Sequence, residues 1–376
     1  MKKTGIGIVC INNDGFDGLR RPRHILMEKL AQRGCRIMFA STPVSYFSER
    51  LKKEKLKWGG IAKIKENLVW YQPPVLLRRF SNPMLDFFST ILRVMVMRIL
   101  VFFYFPDKPI FFVTVPCPDV EKIISYYPKS LLIYNVHDRY LDKNDKWISG
   151  HAELLKAADV VLVGSNFLFE ELAADANGKI FLFPPALDFD LFKFEEPLFN
   201  AKSRCGDNKT IVGCVGNFGS QIDWELINDL TDLMEFEFVF VGPVGRAAKM
   251  DSFYSLLENK GNVKFVGEVP HNSIPAYIQS FDICILPYRL NEYSKGINPL
   301  KLLEYLACGK VVISSPVHFV RQFEGLVHVA STLSEWEFWL CEALKKDNHN
   351  VALKKYQFVK TQSYDARVDF LLEFVK

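Results

Sequence analysis

The sequence predicts an α/β protein made of two Rossmann-like, doubly wound halves. Three observations predict it. Short runs that are apolar throughout and rich in β-branched residues recur along the chain, and the segments between them have helical length and spacing. Runs of that kind mark strands buried on both faces of a parallel sheet, because helical crossovers cover both sides. The stretch 187–207 sustains no period and gives way to strand pattern at Lys209, so two domains are expected rather than one.

In the first half the strand-like runs are 6–11, 36–40, 110–115, 131–136, 160–163 and 180–183, with helical patterns over 22–33 and about 148–158. In the second half they are 211–215, 236–241, 263–266, 283–286, 311–313 and 327–330, with helices over 223–233 and 251–259. The expected division is an N-terminal domain over 1–190 and a C-terminal domain over 205–355. The last segment, 356–376, has apolar residues at helical spacing. Two doubly wound halves present two carboxyl edges, and a cleft between them is expected.

Composition supports a folded chain. With 376 residues, 49% hydrophobic and 24% charged, there is enough apolar surface for two cores. The eight cysteines are scattered without metal-ligand or redox spacing, which reads as reduced thiols in the cytoplasm. Met1-Lys-Lys is followed by an apolar run too short for a signal peptide, and Asn12-Asn-Asp-Gly stands where cleavage would fall, so the run is read as the first strand.

Net charge is only +4, but residues 1–108 hold 20 Lys+Arg against 8 Asp+Glu, so the basic excess lies in the first third. That asymmetry points to an anionic partner surface. Nucleic acid is not expected, because basic and aromatic residues do not interleave in any known binding pattern. An anionic membrane is expected, because Arg50-Leu-Lys-Lys-Glu-Lys-Leu-Lys57 precedes the hydrophobic segment 84–106. Asp86, Arg93 and Arg98 interrupt that segment, which disfavours a transmembrane span. Two readings stay open: a helix facing the core, or an interfacial helix with its arginines snorkelling to the headgroups.

The segment 296–313, Gly-Ile-Asn-Pro-Leu-Lys-Leu-Leu-Glu-Tyr-Leu-Ala-Cys-Gly-Lys-Val-Val-Ile, carries the most functional information. Asn298 and Pro299 suit a helix cap and first turn, and Gly309 suits its end. A strand stands on each side, so the helix start is delivered to a sheet's carboxyl edge, where nucleotide phosphates bind. Lys301 and Glu304 lie one turn apart, placed to meet a diphosphate and a pair of ribose hydroxyls.

This segment resembles the nucleotide-sugar-binding motif of GT-B glycosyltransferases, especially the group 1 family, and the lead-in 262–288 fits as well. The resemblance covers 205–315; the N-terminal half fits loosely. It implies the GT-B fold, transfer of a sugar from a nucleoside-diphosphate sugar, no separate cofactor, and a final helix that packs back on the N-terminal domain. It implies a donor site formed by Gly216, Asn217 and Gly219 after the first strand, Gly242 and Arg246 after the second, Glu268 and Val269, Tyr288, and Asn298, Pro299, Leu300, Lys301 and Glu304. Glu304 would bind ribose, and Glu268 and Val269 would meet the base through their backbone. The family's basic residue after the first loop is absent from Ser220-Gln-Ile-Asp223, and Lys301, helped by Arg246 or Lys249, is read as its replacement. Retaining members carry a second glutamate eight positions before the ribose-binding one. Gly296 stands there, so inversion is expected.

Inverting transfer needs a general base. Asp138, at the end of the strand-like run 131–136, is the first choice and His137 the reserve. Asp14, Asp17, Arg20 and Arg21, in the loop 12–23, are candidates for sugar or anionic-acceptor contacts. Asp188-Phe-Asp190 has a metal-like spacing but lies in the linker and is read as a turn, so no metal is expected. The expected function is a transferase acting on a glycan or lipid-linked acceptor, peripheral at the inner face of the plasma membrane. The alternatives are a nucleotide-sugar epimerase of the same fold and a degenerate, nonenzymatic nucleotide-sugar-binding subunit.

Overall fold

A computed structural model describes residues 5–16, 21–43, 59–77, 79–80, 82–105, 107–137, 150–176, 179–192, 209–291, 294 and 300–374. The chain forms two compact units, Met1–Pro185 with Tyr364–Lys376, and Ala186–Ser363.

The first unit holds strands β1 (Gly7–Asn12), β2 (Arg36–Ser41), β3 (Gly60–Lys65), β4 (Leu68–Gln72), β5 (Ile110–Val113), β6 (Leu132–Val136), β7 (Val160–Val163) and β8 (Ile180–Leu182). Their order in the sheet is β3-β4-β2-β1-β5-β6-β7-β8. All neighbours are parallel except β3 and β4. The chain builds outward from β1 in one direction and from β5 in the other, so the strand order reverses between them.

The β3–β4 hairpin is absent from the sequence reading, because its first strand is amphipathic and half-exposed while the second is buried throughout. Its turn places Asn67 at φ 62, a left-handed conformation that Asn tolerates better than most residues. Lys63 and Lys65 on the edge strand discourage pairing with another chain, and Lys65 Nζ also reaches Glu28 Oε2 at 2.5 Å.

Helix Pro83–Tyr104 begins at Asn82, whose side chain accepts the Met84 and Leu85 amides. Its inner face is Ser89, Thr90, Arg93, Val94, Met97 and Val101, and the last three belong to the unit's hydrophobic core. The snorkelling expectation fails for Arg93. This residue is 4% exposed and grips Asp119 with two bonds, Nε to Oδ2 at 2.6 Å and Nη2 to Oδ1 at 3.0 Å. Ser89 and Thr90 hydroxyls and the Leu77 carbonyl accept its remaining hydrogens. A buried cation is tolerated because every donor has a partner. Arg98 is exposed, with its guanidinium 3.8 Å from the centre of the Tyr126 ring.

Helix Tyr364–Glu373 returns to the first unit. Lys29 Nζ lies 2.9 Å from Asp365 Oδ2, and Arg33 Nη1 lies 3.0 Å from Asp369 Oδ1. Phe370 and Phe374 close on Phe181. The return starts later than the sequence suggested. Residues 356–360 end helix His349–Lys360 of the second unit, where buried Lys355 is paired with Asp347. Residues 186–190 also belong to that unit, with Leu187 N–H donating to Gln362 O at 2.9 Å.

The second unit holds β9 (Thr210–Val215), β10 (Phe236–Val241), β11 (Val263–Gly267), β12 (Ile283–Leu286), β13 (Val311–Ser314) and β14 (His328–Val329), in the order β11-β10-β9-β12-β13-β14. Every neighbouring pair is parallel. Two apolar layers cover the sheet. One centres on Tyr305, Leu306 and Phe281, and the other on Trp224, Phe240 and Trp336. The order reverses between β9 and β12, and ligands of open α/β sheets bind at the carboxyl edge of such a reversal.

Candidate nucleotide site

Loops from three adjacent strands meet at the carboxyl edge of the second sheet. Gly216 N–H donates to Val241 O at 3.0 Å, and Phe218 N–H to Pro243 O at 2.9 Å. In return Gly245 N–H donates to Phe218 O at 2.7 Å. The loops after β9 and β10 are thus laced together. Gly242 makes this possible: its φ is 139, and a Cβ there would stand 1.8 Å from Gly216 O. Its own N–H reaches Gly267 O at 2.8 Å, which ties in the end of β11. A loop of this kind exposes backbone to a ligand with no side chain intervening.

Helix Leu300–Ala307 follows β12 and packs by one face into the core through Leu302, Leu303, Tyr305 and Leu306. Tyr305 fixes it to β9. The Val215 amide donates to Tyr305 Oη at 2.7 Å, and the hydroxyl donates back to Val215 O at 3.3 Å. Burial holds the Tyr305 phenol well above its ordinary pKa, so it stays neutral and able to donate. The first turn of the helix is therefore set beside the β9 loop, at the strand-order reversal.

Lys301 and Glu304 are brought together there. Lys301 Nζ lies 2.8 Å from Glu304 Oε2 and 3.1 Å from Oε1. The carboxylate is 1% exposed and the lysine 23%. The Cys214 thiol on β9 is pushed up to about 12 by burial, and the Tyr305 hydroxyl and then the Lys301 charge oppose that shift. Their spacing on the helix suggests separate partners for the two side chains; here each holds the other. The amine has three protons and two close acceptors on one carboxylate, so a proton is left to turn toward an anion.

Of the other expected donor-site residues, Gly216, Asn217 and Gly219 form the β9 loop, where Gln221 Nε2 donates to Asn217 O at 2.6 Å. Arg246 is exposed on the short helix Arg246–Lys249 that follows the β10 loop. Glu268 is exposed just past β11, while Val269 is half-buried against the core. Tyr288 is half-buried after β12 and packs on both apolar layers. Leu300 is half-buried at the helix start. Asn298, Pro299 and Gly296 lie outside the described residues. Ser314 and Ser315, at the end of β13 and both buried, share this edge and went unremarked in the sequence because single serines after a strand carry no pattern.

The first unit has a polar edge of its own. His137 ends β6, with Nε2 2.9 Å from Asn135 Nδ2. Burial, then the Arg23 charge, pushes its pKa down to about 4, so the imidazole is neutral near pH 7. Arg23 Nε lies 2.8 Å from Asp14 Oδ2, and its Nη1 donates to Thr114 Oγ1 at 3.2 Å. Asn12, Thr114 and Asn135 are wholly buried at the ends of β1, β5 and β6. Thr114 and Asn135 escaped the sequence reading; a polar residue closing an apolar strand run is the signal for both. Arg21 Nε lies 3.4 Å from Asp14 Oδ1. Asp138, Asp17 and Arg20 lie outside the described residues. Asp188 starts helix Phe189–Phe192 through its carbonyl, which accepts the Leu191 amide at 3.0 Å.

Residues 209–332 match the family described as glycosyl transferases group 1. A 171-residue stretch is 25% identical to the Bacillus subtilis protein TuaH, whose name assigns it to teichuronic acid biosynthesis as a glycosyltransferase. That match spans 44% of this chain and 43% of TuaH. The structure is similar to a sucrose-phosphate synthase from Thermosynechococcus elongatus, with TM-score 0.69, 15% identity and 98% of each chain covered. It is also similar to Anabaena HepE, solved in complex with UDP and glucose, with TM-score 0.63, 12% identity, and 98% of this chain and 99% of that one covered. Two doubly wound units, the second with its loops and first helical turn gathered at the strand-order reversal, place this chain in the GT-B fold, and residues 209–332 are similar to the family described as glycosyl transferases group 1.

Proposed function

We propose that the chain is a glycosyltransferase that moves a sugar from a nucleoside-diphosphate sugar, UDP-linked, to a hydroxyl acceptor in cell-surface polysaccharide or lipid-linked glycan synthesis. The observation that carries the reading is the buried Glu304 with Lys301 beside it, on the first turns of a helix set at the β9/β12 reversal. A carboxylate there accepts both ribose hydroxyls, and the Lys301 ammonium with the backbone of the β9 and β10 loops meets the diphosphate. The UDP in the HepE complex and the teichuronic acid assignment of TuaH support the donor class and the setting.

Transfer proceeds with inversion in this reading, because Gly296 stands where retaining relatives of the resembling family carry a sugar-contacting glutamate. The acceptor oxygen attacks the anomeric carbon, the bond to the nucleoside diphosphate breaks, and the acceptor's proton passes to a base. Asp138 is the proposed base. His137, neutral but with its pKa lowered by burial, is a weaker one and suits positioning. The enzyme works in the cytoplasm, at the inner face of the plasma membrane.

The test is calorimetric titration with UDP and UDP-sugars, followed by a transfer assay with the bound donor. Binding that Glu304→Gln weakens by about tenfold or more, with folding unchanged, supports the site. An unaltered affinity removes Glu304 from it.

A further inference from the structure

We infer that the outer face of helix Pro83–Tyr104 is a docking surface for an anionic lipid bilayer, with the helix lying along the headgroups. The inference deepens the reading of a transferase that serves surface glycans, but it is read out without donor or acceptor, so either can fail alone.

The helix is apolar on the face that a water-soluble unit would keep polar. Its buried face carries an ion pair and two hydroxyls beside Val94, Met97 and Val101, while Met84, Phe88, Met95, Ile99, Phe102 and Phe103 stand in solvent. Phe102 is 74% exposed and Phe103 80%. These positions recur at helical spacing, so they form a continuous stripe along about 30 Å of helix. An apolar stripe of that length on a folded unit marks a surface that is covered in use.

Two features choose a bilayer lying flat against it. The inner face is built into the unit: Val94, Met97 and Val101 join its core and Arg93 is locked to Asp119, so the helix cannot be surrounded by lipid. The stripe is also edged by cations. Lys122 Nζ stands 5.7 Å from the centre of the exposed Phe87 ring, and Arg98 lies over Tyr126, which is 52% exposed. Cations with tyrosine beside an apolar stripe suit anionic headgroups above acyl chains. A second copy meeting on the same face would bring these cations against their own kind. The basic excess of residues 1–108 has the matching sign.

The full chain is tested by flotation at low salt with zwitterionic vesicles and with vesicles containing an anionic lipid, alongside sedimentation without lipid. The wild type floats with the anionic vesicles. The double variant Phe88→Glu/Phe102→Glu loses about tenfold or more of that binding with its melting temperature unchanged, since both side chains are exposed. Arg98→Ala/Lys122→Ala weakens it about fivefold for each cation removed. No flotation of the wild type overturns the inference. So does a stable dimer in the absence of lipid that the double glutamate variant dissolves, which would give the face to a second copy.

Discussion

Lys301 Nζ sits between both carboxylate oxygens of Glu304, at 2.8 and 3.1 Å, one turn away on the same helix. The pair is lopsided, because the acid is out of water and the base is not. Removing one partner therefore differs from removing the other. Lys301→Met strands a buried carboxylate and costs about 2–3 kcal/mol, less than a fully enclosed pair because Lys301 is partly solvated. Glu304→Gln leaves a lysine that can turn to water and costs under about 1 kcal/mol. Urea denaturation of the two variants checks the order. Equal costs, or the reverse order, would contradict the buried carboxylate.

Gly242 is the second point of leverage. Its φ of 139 and the 1.8 Å approach of a Cβ to Gly216 O leave no space for a side chain. Gly242→Ala is expected to separate the β9 and β10 loops and to abolish nucleotide binding, with stability lowered by several kcal/mol. Gly216→Ala, where a Cβ meets nothing within 4 Å, is expected to fold normally. Circular dichroism melts of both variants test this; similar melting curves would refute the close approach.

Tyr305→Phe removes a hydroxyl that both accepts from and donates to Val215. With the Val215 backbone left unpartnered in the core, the expected cost is about 1–3 kcal/mol. The helix start is also expected to drift from the β9 loop, so nucleotide affinity falls beyond the loss in stability. A variant that is destabilised yet binds nucleotide normally would show that Tyr305 serves packing alone.

The first unit should weaken in mild acid. Burial pushes His24 and His151 each down to about 4. Both nitrogens observed in hydrogen bonds fit neutral rings: His24 Nδ1 accepts the Arg21 amide at 2.9 Å, and His151 Nδ1 lies 2.9 Å from Tyr134 Oη. A folded-state pKa below the unfolded value means that protons favour the unfolded chain. Stability is thus complete above about pH 6.5 and falls until about pH 4. By pH 5 the loss is about 2 kcal/mol for each histidine, and His24→Gln should remove part of the slope. A pH-independent melt of the first unit between 7 and 5 would contradict buried, neutral rings.

The parallel strands were legible because complete burial writes itself as unbroken apolar runs, as in Val160–Val163 and Ile283–Leu286. The β3–β4 hairpin was not, because an exposed edge strand with lysines looks like a surface loop. The site helix was legible from its cap-like Asn298-Pro299, its Gly309 stop and the spacing of Lys301 and Glu304. That the two side chains pair with each other was not legible, since spacing alone does not say whether a lysine faces solvent, a ligand or its neighbour. Arg93 was misjudged for a related reason. Its partner Asp119 lies 26 residues away on another helix, and no local pattern announces such a pair.

Glu304, held at the β9/β12 reversal, is the proposed ligand of a nucleotide sugar's ribose. Isothermal titration of UDP into the wild type and into Glu304→Gln decides this role. Saturable one-site binding to the wild type is expected, and at least about tenfold weaker binding to the variant, whose stability falls by under about 1 kcal/mol. Equal affinity in the two proteins would contradict it.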